Sequence, residues 1–268
     1  MIDTHCHLNL IISRDPNHIL DKKELGAAAA IIKRAQAAGV THVINIGASL
    51  ADSFNSVNLA RAYPMIYAVI GVHPNDLTPD WQNDFEEIKK LLKKKEEHKI
   101  VGIGETGIDT YRPGYHLQRQ QDAFHAHIEL ALEHDLPVVI HTRAAPQETL
   151  AVMHEYRQNN LRGVIHCFAY DLAFARDVIA NGFYVGIGGV VTYPRSHLAE
   201  VVEAIDLKHI LLETDAPFLP PQQWRGQSNE PAYLPAVAQK IAEIKNISLH
   251  VVDEITTQSA HVLFGILN

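Results

Sequence analysis

Eight short apolar segments recur along the chain, and the longer stretches between them have the apolar spacing of helices. Successive segments begin about 20 to 40 residues apart, which is the length that a strand, a crossover helix and two loops require. This alternation predicts a parallel sheet whose strands are joined by helices. The predicted strands begin near Met1, Val40, Ile66, Ile100, Pro137, Gly163, Phe183 and His209.

Several of the predicted helices carry their own boundary signals. Gly39 and Gly182 each follow a helical stretch and precede a strand, where a left-handed C-terminal cap is commonly needed. The segment from Pro231 onward predicts two further helices, the last of them with Ser248 as its N-cap. The other predicted helices cover residues 24–38, 50–62, 85–95, 118–134 and 173–181.

Eight such units favour an α/β fold, a closed (β/α)8 TIM-type barrel, as one domain over residues 1–268, because no linker or low-complexity segment divides the chain. The alternative is an open doubly wound sheet, which usually has a glycine-rich turn after its first strand. Here the first strand ends in DTHCHL, and the later GIGETG segment has a glutamate in its middle. We therefore expect a barrel with its site at the C-terminal ends of the strands.

Charge and composition limit the partners of the protein. The formal net charge of −8 argues against a protein that coats long duplex nucleic acid, so any such substrate is held locally, where divalent cations can supply positive charge. No apolar stretch approaches the roughly 20 residues of a membrane span, and no secretory signal is recognisable. Two cysteines are too few for a disulfide framework. We expect a cytoplasmic location, no membrane partner and no obligate protein partner.

The strongest chemical signal is a pair of histidines, His5 and His7, in the first predicted strand. Alternate strand residues point to the same face, so both imidazoles can reach one metal ion while Cys6 points the other way. The alternative is that both histidines are hydrogen-bonded core residues.

Four further polar residues lie at or just past the ends of other predicted strands, where barrel enzymes build their sites. Taken singly, each could be a helix cap or make a structural hydrogen bond. Together with the two first-strand histidines they make six polar residues at corresponding places, which favours a metal site. Imidazole and carboxylate ligands suit zinc, manganese, iron, nickel and cobalt, and also magnesium where carboxylates and water dominate. The four residues are Glu105, His141, His166 and Asp215.

Six protein ligands exceed the three that one catalytic zinc usually takes, so we expect two ions, about 3.5 to 4 Å apart, that share a carboxylate. Glu105 is the candidate bridge, and Asp215 is the candidate base that takes a proton from the attacking water. The predicted cofactors are two divalent metal ions per chain, drawn from Mg²⁺, Mn²⁺, Zn²⁺ and Co²⁺.

A second set of six residues neighbours these ligands and is predicted to contact substrate or to orient a ligand. Three of them follow Glu105 on a predicted loop, and the two arginines could each clamp a phosphate. The alternatives are a turn-forming histidine, a buried ion pair and arginines that are merely solvated. The set comprises His73, Asp109, Tyr111, Arg112, Arg143 and Glu213.

In order along the chain, these motifs resemble those of the TatD-like metal-dependent hydrolases, within the amidohydrolase-type barrels. The likeness spans nearly the whole chain and is specific as a set, although GVHP or NEP alone would be weak. The motifs are DTHCHL at 3–8, GVHP at 71–74, GETGID at 104–109, the histidine after PVVI at 141, HCF at 166–168, ETDAPFL at 213–219 and NEP at 229–231.

The resemblance implies that Glu105 and Asp215 join the two first-strand histidines around one ion, and that Glu105, His141 and His166 hold a second. It also implies metal-dependent DNase activity, often exonucleolytic, with a DNA end or a short single strand as substrate. The chain departs from the family at residues 169–171, 193–195 and 228, which spare every predicted ligand but change the predicted substrate rim.

Three functions stay open at this point. The leading one is a deoxyribonuclease that uses a two-metal-activated water. The alternative is a hydrolase of a small-molecule or acyl ester or amide on the same metal site, because a fold does not fix a function. The third is a non-enzymatic metal-binding scaffold, which would have a closed site with no position for water.

Overall fold

The computed structural model describes residues 1–266, in which eight parallel strands follow one another in chain order around a single sheet. The first and last strands also meet, since the N–H of His7 donates to the carbonyl of Ala216 and the N–H of Asp215 donates to the carbonyl of His5, each at 2.8 Å. The predicted (β/α)8 barrel is therefore confirmed. The strands are β1 (Ile2–Cys6), β2 (His42–Ile46), β3 (Ile66–Ile70), β4 (Ile100–Asp109), β5 (Val138–Arg143), β6 (Gly163–Ile165), β7 (Phe183–Ile187) and β8 (Ile210–Leu212).

Helices follow the strands and form the outer layer. Gly39 and Gly182 adopt φ angles of 86° and 82°, as predicted for left-handed positions between helix and strand. The Ser248 side chain accepts a hydrogen bond from the N–H of Val251, which confirms the predicted N-cap. The helices of the described chain are α1 (Leu8–Ile12), α2 (Lys22–Ala37), α3 (Leu50–Ala62), α4 (Trp81–Leu91), α5 (Leu117–Glu133), α6 (Pro146–Glu155), α7 (Leu172–Ala180), α8 (Leu198–Ala204), α9 (Leu234–Lys245) and α10 (Leu249–Phe264).

Three helices are not among those predicted from the sequence: α1, α6 and α8, which have 5, 10 and 7 residues. Helices this short contain too few turns for an apolar period to stand out. The fourth helix begins at Trp81, four residues before the predicted start, because its first turn lacks a clear apolar pattern. Boundary shifts of this size leave the order of elements unchanged.

The barrel interior is apolar at one end and polar at the other. Alternate residues of the strands, among them Ile44, Val101 and Val139, are buried in one cluster with Leu263 and Phe264 of α10. The last helix therefore covers the N-terminal end of the barrel with apolar side chains. Because this end is filled, the buried polar residues described below lie at the opposite, C-terminal end, where a ligand can enter.

Two strand ends differ from the prediction, and both concern candidate site residues. The first strand ends at Cys6, so His7 is the residue that precedes α1 and lies just past the strand. The fourth strand runs to Asp109, which was predicted on a loop, because β4 continues to pair with β5 as far as Arg143. Within residues 1–266, no helix is long and apolar enough to cross a membrane.

Candidate metal centre

The first group of ligand atoms at the C-terminal end of the barrel is a buried cage of two nitrogens and two oxygens. The Nε2 atoms of His5 and His7 lie 3.2 Å apart, and each lies 3.6 Å from Oε2 of Glu105 and 3.7 Å from Oδ1 of Asp215. Tetrahedral ligands at a metal distance of about 2.1 Å are separated from one another by about 3.4 Å. The spacing therefore fits a single metal ion, and most of these contacts are too long to be hydrogen bonds.

The protonation of the two histidines also suits a metal. Burial lowers the pKa of His5 well below its ordinary value, and burial lowers the pKa of His7 as well. Both imidazoles are therefore neutral near pH 7, and the neutral form is the one that binds metal.

The other carboxylate oxygen of Glu105 faces a second group. Its Oε1 lies 2.8 Å from Nε2 of His166, 3.1 Å from Nδ1 of His141 and 3.5 Å from Nε2 of His73. The predicted ligands His141 and His166 are brought together here, with 3.2 Å between their facing nitrogens. His73, predicted only as a neighbour, lies close enough to be a further ligand, and its position in the turn after β3 gave no sign of this.

Glu105 thus separates the two groups, with one oxygen directed at each. Burial raises the pKa of its carboxyl group, but the imidazoles of His166, His73 and His141 lower it by more, so the pKa is held well below its ordinary value. A carboxylate that stays ionised between two sets of nitrogens is suited to bridge two cations.

The glycines around Glu105 allow this placement. Gly107 has a φ of 132°, and a Cβ at this position would collide with the carbonyl oxygen of His141 on the neighbouring strand. A Cβ on Gly104 would similarly approach the carbonyl of Val139. The glycines of the GETG motif therefore let β4 pack closely against β5, and this packing places Glu105 at the mouth of the barrel.

Asp109 and Asn75 form a hydrogen-bonded chain on the side of His141 that faces away from Glu105. Oδ2 of Asp109 lies 3.2 Å from Nε2 of His141 and accepts a hydrogen bond of 2.7 Å from Nδ2 of Asn75. Burial lowers the pKa of His141, but Asp109 and Glu105 raise it by more, to about 9. Without a cation the ring therefore keeps both protons near pH 7, and a bound cation would replace the proton on Nδ1, which faces Glu105. A carboxylate behind the other ring nitrogen is the arrangement that orients metal-binding histidines. Asp109 was predicted as a neighbour of the ligands, whereas Asn75 was not. The one sequence feature that could have indicated Asn75 is its position directly after the GVHP motif.

We expect Asp109→Asn to weaken metal binding about 10- to 100-fold, the usual effect of losing an outer carboxylate partner. An amide at this position cannot provide the charge-assisted hydrogen bond that fixes the ring of His141. Competition with a chromogenic chelator would measure the affinity, and a thermal melt would show whether the variant is folded. Unchanged affinity in a folded variant would contradict the orienting role.

Glu213 is fully buried next to residues from both groups of ligand atoms. Its Oε1 accepts a hydrogen bond of 2.6 Å from the N–H of Cys167, next to His166. One ligand atom each of Glu213, His5 and His166 lie within 4.8 Å of one another. Burial and the charge of Asp215 raise the pKa of Glu213 well above its ordinary value. The orienting role of Glu213 stays a prediction, because its Oε1 contacts a backbone N–H and not an imidazole nitrogen. Cys167 and Cys6 are both free.

The remaining predicted residues lie at the rim. The guanidinium of Arg143 stacks on the exposed ring of Tyr111 at 3.8 Å from its centroid. Arg112 lines a neighbouring pocket. Of the positions that depart from the family, Tyr193 donates a hydrogen bond of 2.9 Å to the carbonyl of Pro220 and so ties two rim loops together.

An eight-stranded barrel with imidazoles and carboxylates converging at the C-terminal ends of its strands defines the class of barrel-type metal-dependent hydrolases. A family model described as TatD related DNase matches residues 2–265. The chain therefore belongs to the TatD family and is a metal-dependent hydrolase.

Relatives agree with this assignment. YabD of Bacillus subtilis, an uncharacterized metal-dependent hydrolase, is 34% identical over 267 residues, which is 99% of each chain. YcfH of Escherichia coli K12, described in the same words, is 30% identical over 99% of this chain and 96% of its own. The crystal structure of YjjV, a TatD homologue from Escherichia coli, superposes with a TM-score of 0.88 at 27% identity, covering 100% of this chain and 98% of that one.

Proposed function

We propose that the protein is a deoxyribonuclease that hydrolyses phosphodiester bonds from a strand end with two divalent ions bound at this centre. The observation that carries the proposal is the placement of Glu105, whose two carboxylate oxygens face two separate groups of nitrogen and oxygen atoms. When bound, a pair of ions lowers the pKa of an attacking water and stabilises the attacking and leaving oxygens of a displacement.

The first group of side chains would hold one ion and supply the proton acceptor. The first cage would hold one ion through His5, His7, Glu105 and Asp215. The carboxylate of Asp215 lies 3.7 Å from Nε2 of both first-strand histidines, where it can accept the proton that an attacking water at this cage releases. Its backbone is held by the hydrogen bond from the N–H of Asp215 to the carbonyl of His5, so the carboxylate is fixed at the cage.

The second group would hold the other ion through the far oxygen of Glu105 and the imidazoles of His141 and His166. His73 also faces this oxygen and is available as a further ligand. Asp109 keeps His141 in the required orientation through its hydrogen bond.

The rim around the centre supports a single-stranded nucleic acid as the substrate. Large exposed aromatic side chains lie on the loops around the centre, among them Tyr111 after β4 and Phe218 after β8, whose ring lies 6.0 Å from that of His7. Exposed rings can stack against bases of a single strand. The net charge of −8 favours a short contact at a strand end over an extended groove.

The test is hydrolysis of end-labelled single-stranded and duplex DNA by chelator-stripped protein, to which Mg²⁺, Mn²⁺, Zn²⁺ or Co²⁺ is restored in turn. We expect no cleavage without metal and stepwise shortening from an end with at least one ion. Restored metal binding without DNA cleavage would overturn the proposal, and the same samples would then be assayed on small esters and amides, the alternative substrates of this centre.

A further inference from the structure

A separate pocket with a volume of about 160 Å³ opens beside the candidate metal centre, between the loop after β3 and the loop that leads from β4 into α5. Its wall includes two arginines, Arg112 and Arg119, together with Asn75 and Tyr115. We propose that this pocket binds a second phosphate group of the nucleic acid substrate, next to the phosphate that is cleaved. This inference rests on the proposed function and names where the substrate strand continues.

The charge of the pocket points to an anion. Arg112 forms no ion pair with any side chain in residues 1–266, and an acidic group that its charge reaches is Asp76, whose pKa burial raises and the charge of Arg112 partly lowers. Nη1 of Arg119 donates a hydrogen bond of 3.2 Å to the carbonyl of Leu77, which holds this second guanidinium at the wall. Planar guanidinium groups match the geometry of phosphate oxygens and favour such contacts.

The main chain at the start of α5 adds to the positive charge of the pocket. The 17-residue helix α5 begins at the pocket, and its N-cap His116 is one of the wall residues. Nδ1 of His116 accepts a hydrogen bond of 3.2 Å from the N–H of Arg119, and the earlier N–H groups of the first turn are the ones that favour a nearby anion. In a protein with a net charge of −8, the two arginines and this helix start place positive charge at the pocket wall, and Asp109 and Asp76 are the acidic groups beside it.

The position of the pocket ties it to the metal centre. Asn75 lines the pocket and donates to Oδ2 of Asp109, and this same oxygen faces His141. Asn75 and Asp109 therefore connect the pocket to His141 of the centre through two successive contacts. A strand whose scissile phosphate lies over the centre can place its adjoining nucleotide in the pocket.

The apolar part of the wall suits the rest of a nucleotide. Tyr115 is 47% exposed and presents its ring at the pocket beside Pro74 and Pro113. A base can stack on such a ring whatever its sequence. The phosphate is thus expected to contact the arginines while the base or sugar lies against the apolar wall.

The test compares a long substrate with a short one. Arg112→Ala is expected to raise KM about tenfold or more for a single-stranded oligonucleotide, the usual effect of losing a charged hydrogen bond. The same variant is expected to lose much less kcat/KM for bis(p-nitrophenyl) phosphate than for the oligonucleotide, because this diester has one phosphate and therefore no second phosphate to place in the pocket. Arg112→Lys is expected to recover part of the loss, since it restores the charge without the planar fork.

Arg176→Ala is the matched control, because Arg176 is an exposed arginine on α7, across the barrel from the pocket. It removes the same charge and is expected to leave both substrates unaffected. Arg119→Ala is a second probe of the pocket, and a thermal melt would show whether losing its bond to Leu77 disturbs folding.

Two versions of the oligonucleotide identify the source of the phosphate. A rise in KM for Arg112→Ala with and without a terminal phosphate supports binding of an internal phosphodiester, and a rise only with the terminal phosphate supports binding of a phosphorylated end. An unchanged KM for both oligonucleotides, with active wild-type protein, overturns the inference. A wild-type protein that cleaves the small diester but no oligonucleotide instead overturns the proposed function.

Discussion

Glu105→Gln is expected to lower kcat by at least about 10³-fold, because two ions together supply several kcal/mol of transition-state stabilisation and about 1.4 kcal/mol corresponds to a tenfold change in rate. The carboxylate lies with one oxygen toward His5 and His7 and the other toward His141 and His166. A glutamine has nearly the same shape but offers only one good metal-binding atom, so one of the two groups loses its shared ligand.

Two measurements separate this effect from unfolding. Metal content per chain, determined by plasma mass spectrometry after dialysis, is expected to fall in the variant, while the circular dichroism spectrum stays that of the wild type. Glu254→Gln, an exposed position on α10, is the matched control and is expected to keep both activity and metal. Wild-type turnover by Glu105→Gln would mean that the bridging assignment is wrong.

Asp215→Asn is expected to lower kcat by about 10²- to 10⁴-fold, the range typical for losing a catalytic base. His5, His7 and Glu105 remain as ligands of the first cage, so the variant is expected to retain most of its metal. The amide cannot accept the proton that the attacking water releases. The defect should therefore appear in kcat far more than in metal content, unlike that of Glu105→Gln.

Single-turnover hydrolysis with metal-loaded protein measures this step directly, with Asp177→Asn on the exposed side of α7 as the control. A variant that loses its metal and its activity in parallel would show that Asp215 acts only as a ligand. A variant with full activity would remove Asp215 from the centre altogether.

The order of the elements and most residues of the candidate centre could be predicted from local sequence patterns. Strand and helix periods are local properties, so eight alternating units predicted the barrel. The alternation of a strand placed His5 and His7 on one side, and the rule that parallel strands end at one edge brought Glu105, His141, His166 and Asp215 to them. The N-cap at Ser248 could also be predicted from the sequence, because an N-cap depends only on the residues next to it in the chain.

The tertiary structure alone decided how these residues meet. Asp109 belongs to β4 because pairing with β5 extends that strand, and the path of the loop after β3 brings His73 to Glu105 and Asn75 to Asp109. The pocket beside them is formed by two loops that are distant in the chain. Periodicity reports which face a side chain occupies, whereas contacts of about 3 Å depend on sheet register and loop path, which are fixed only when the barrel closes.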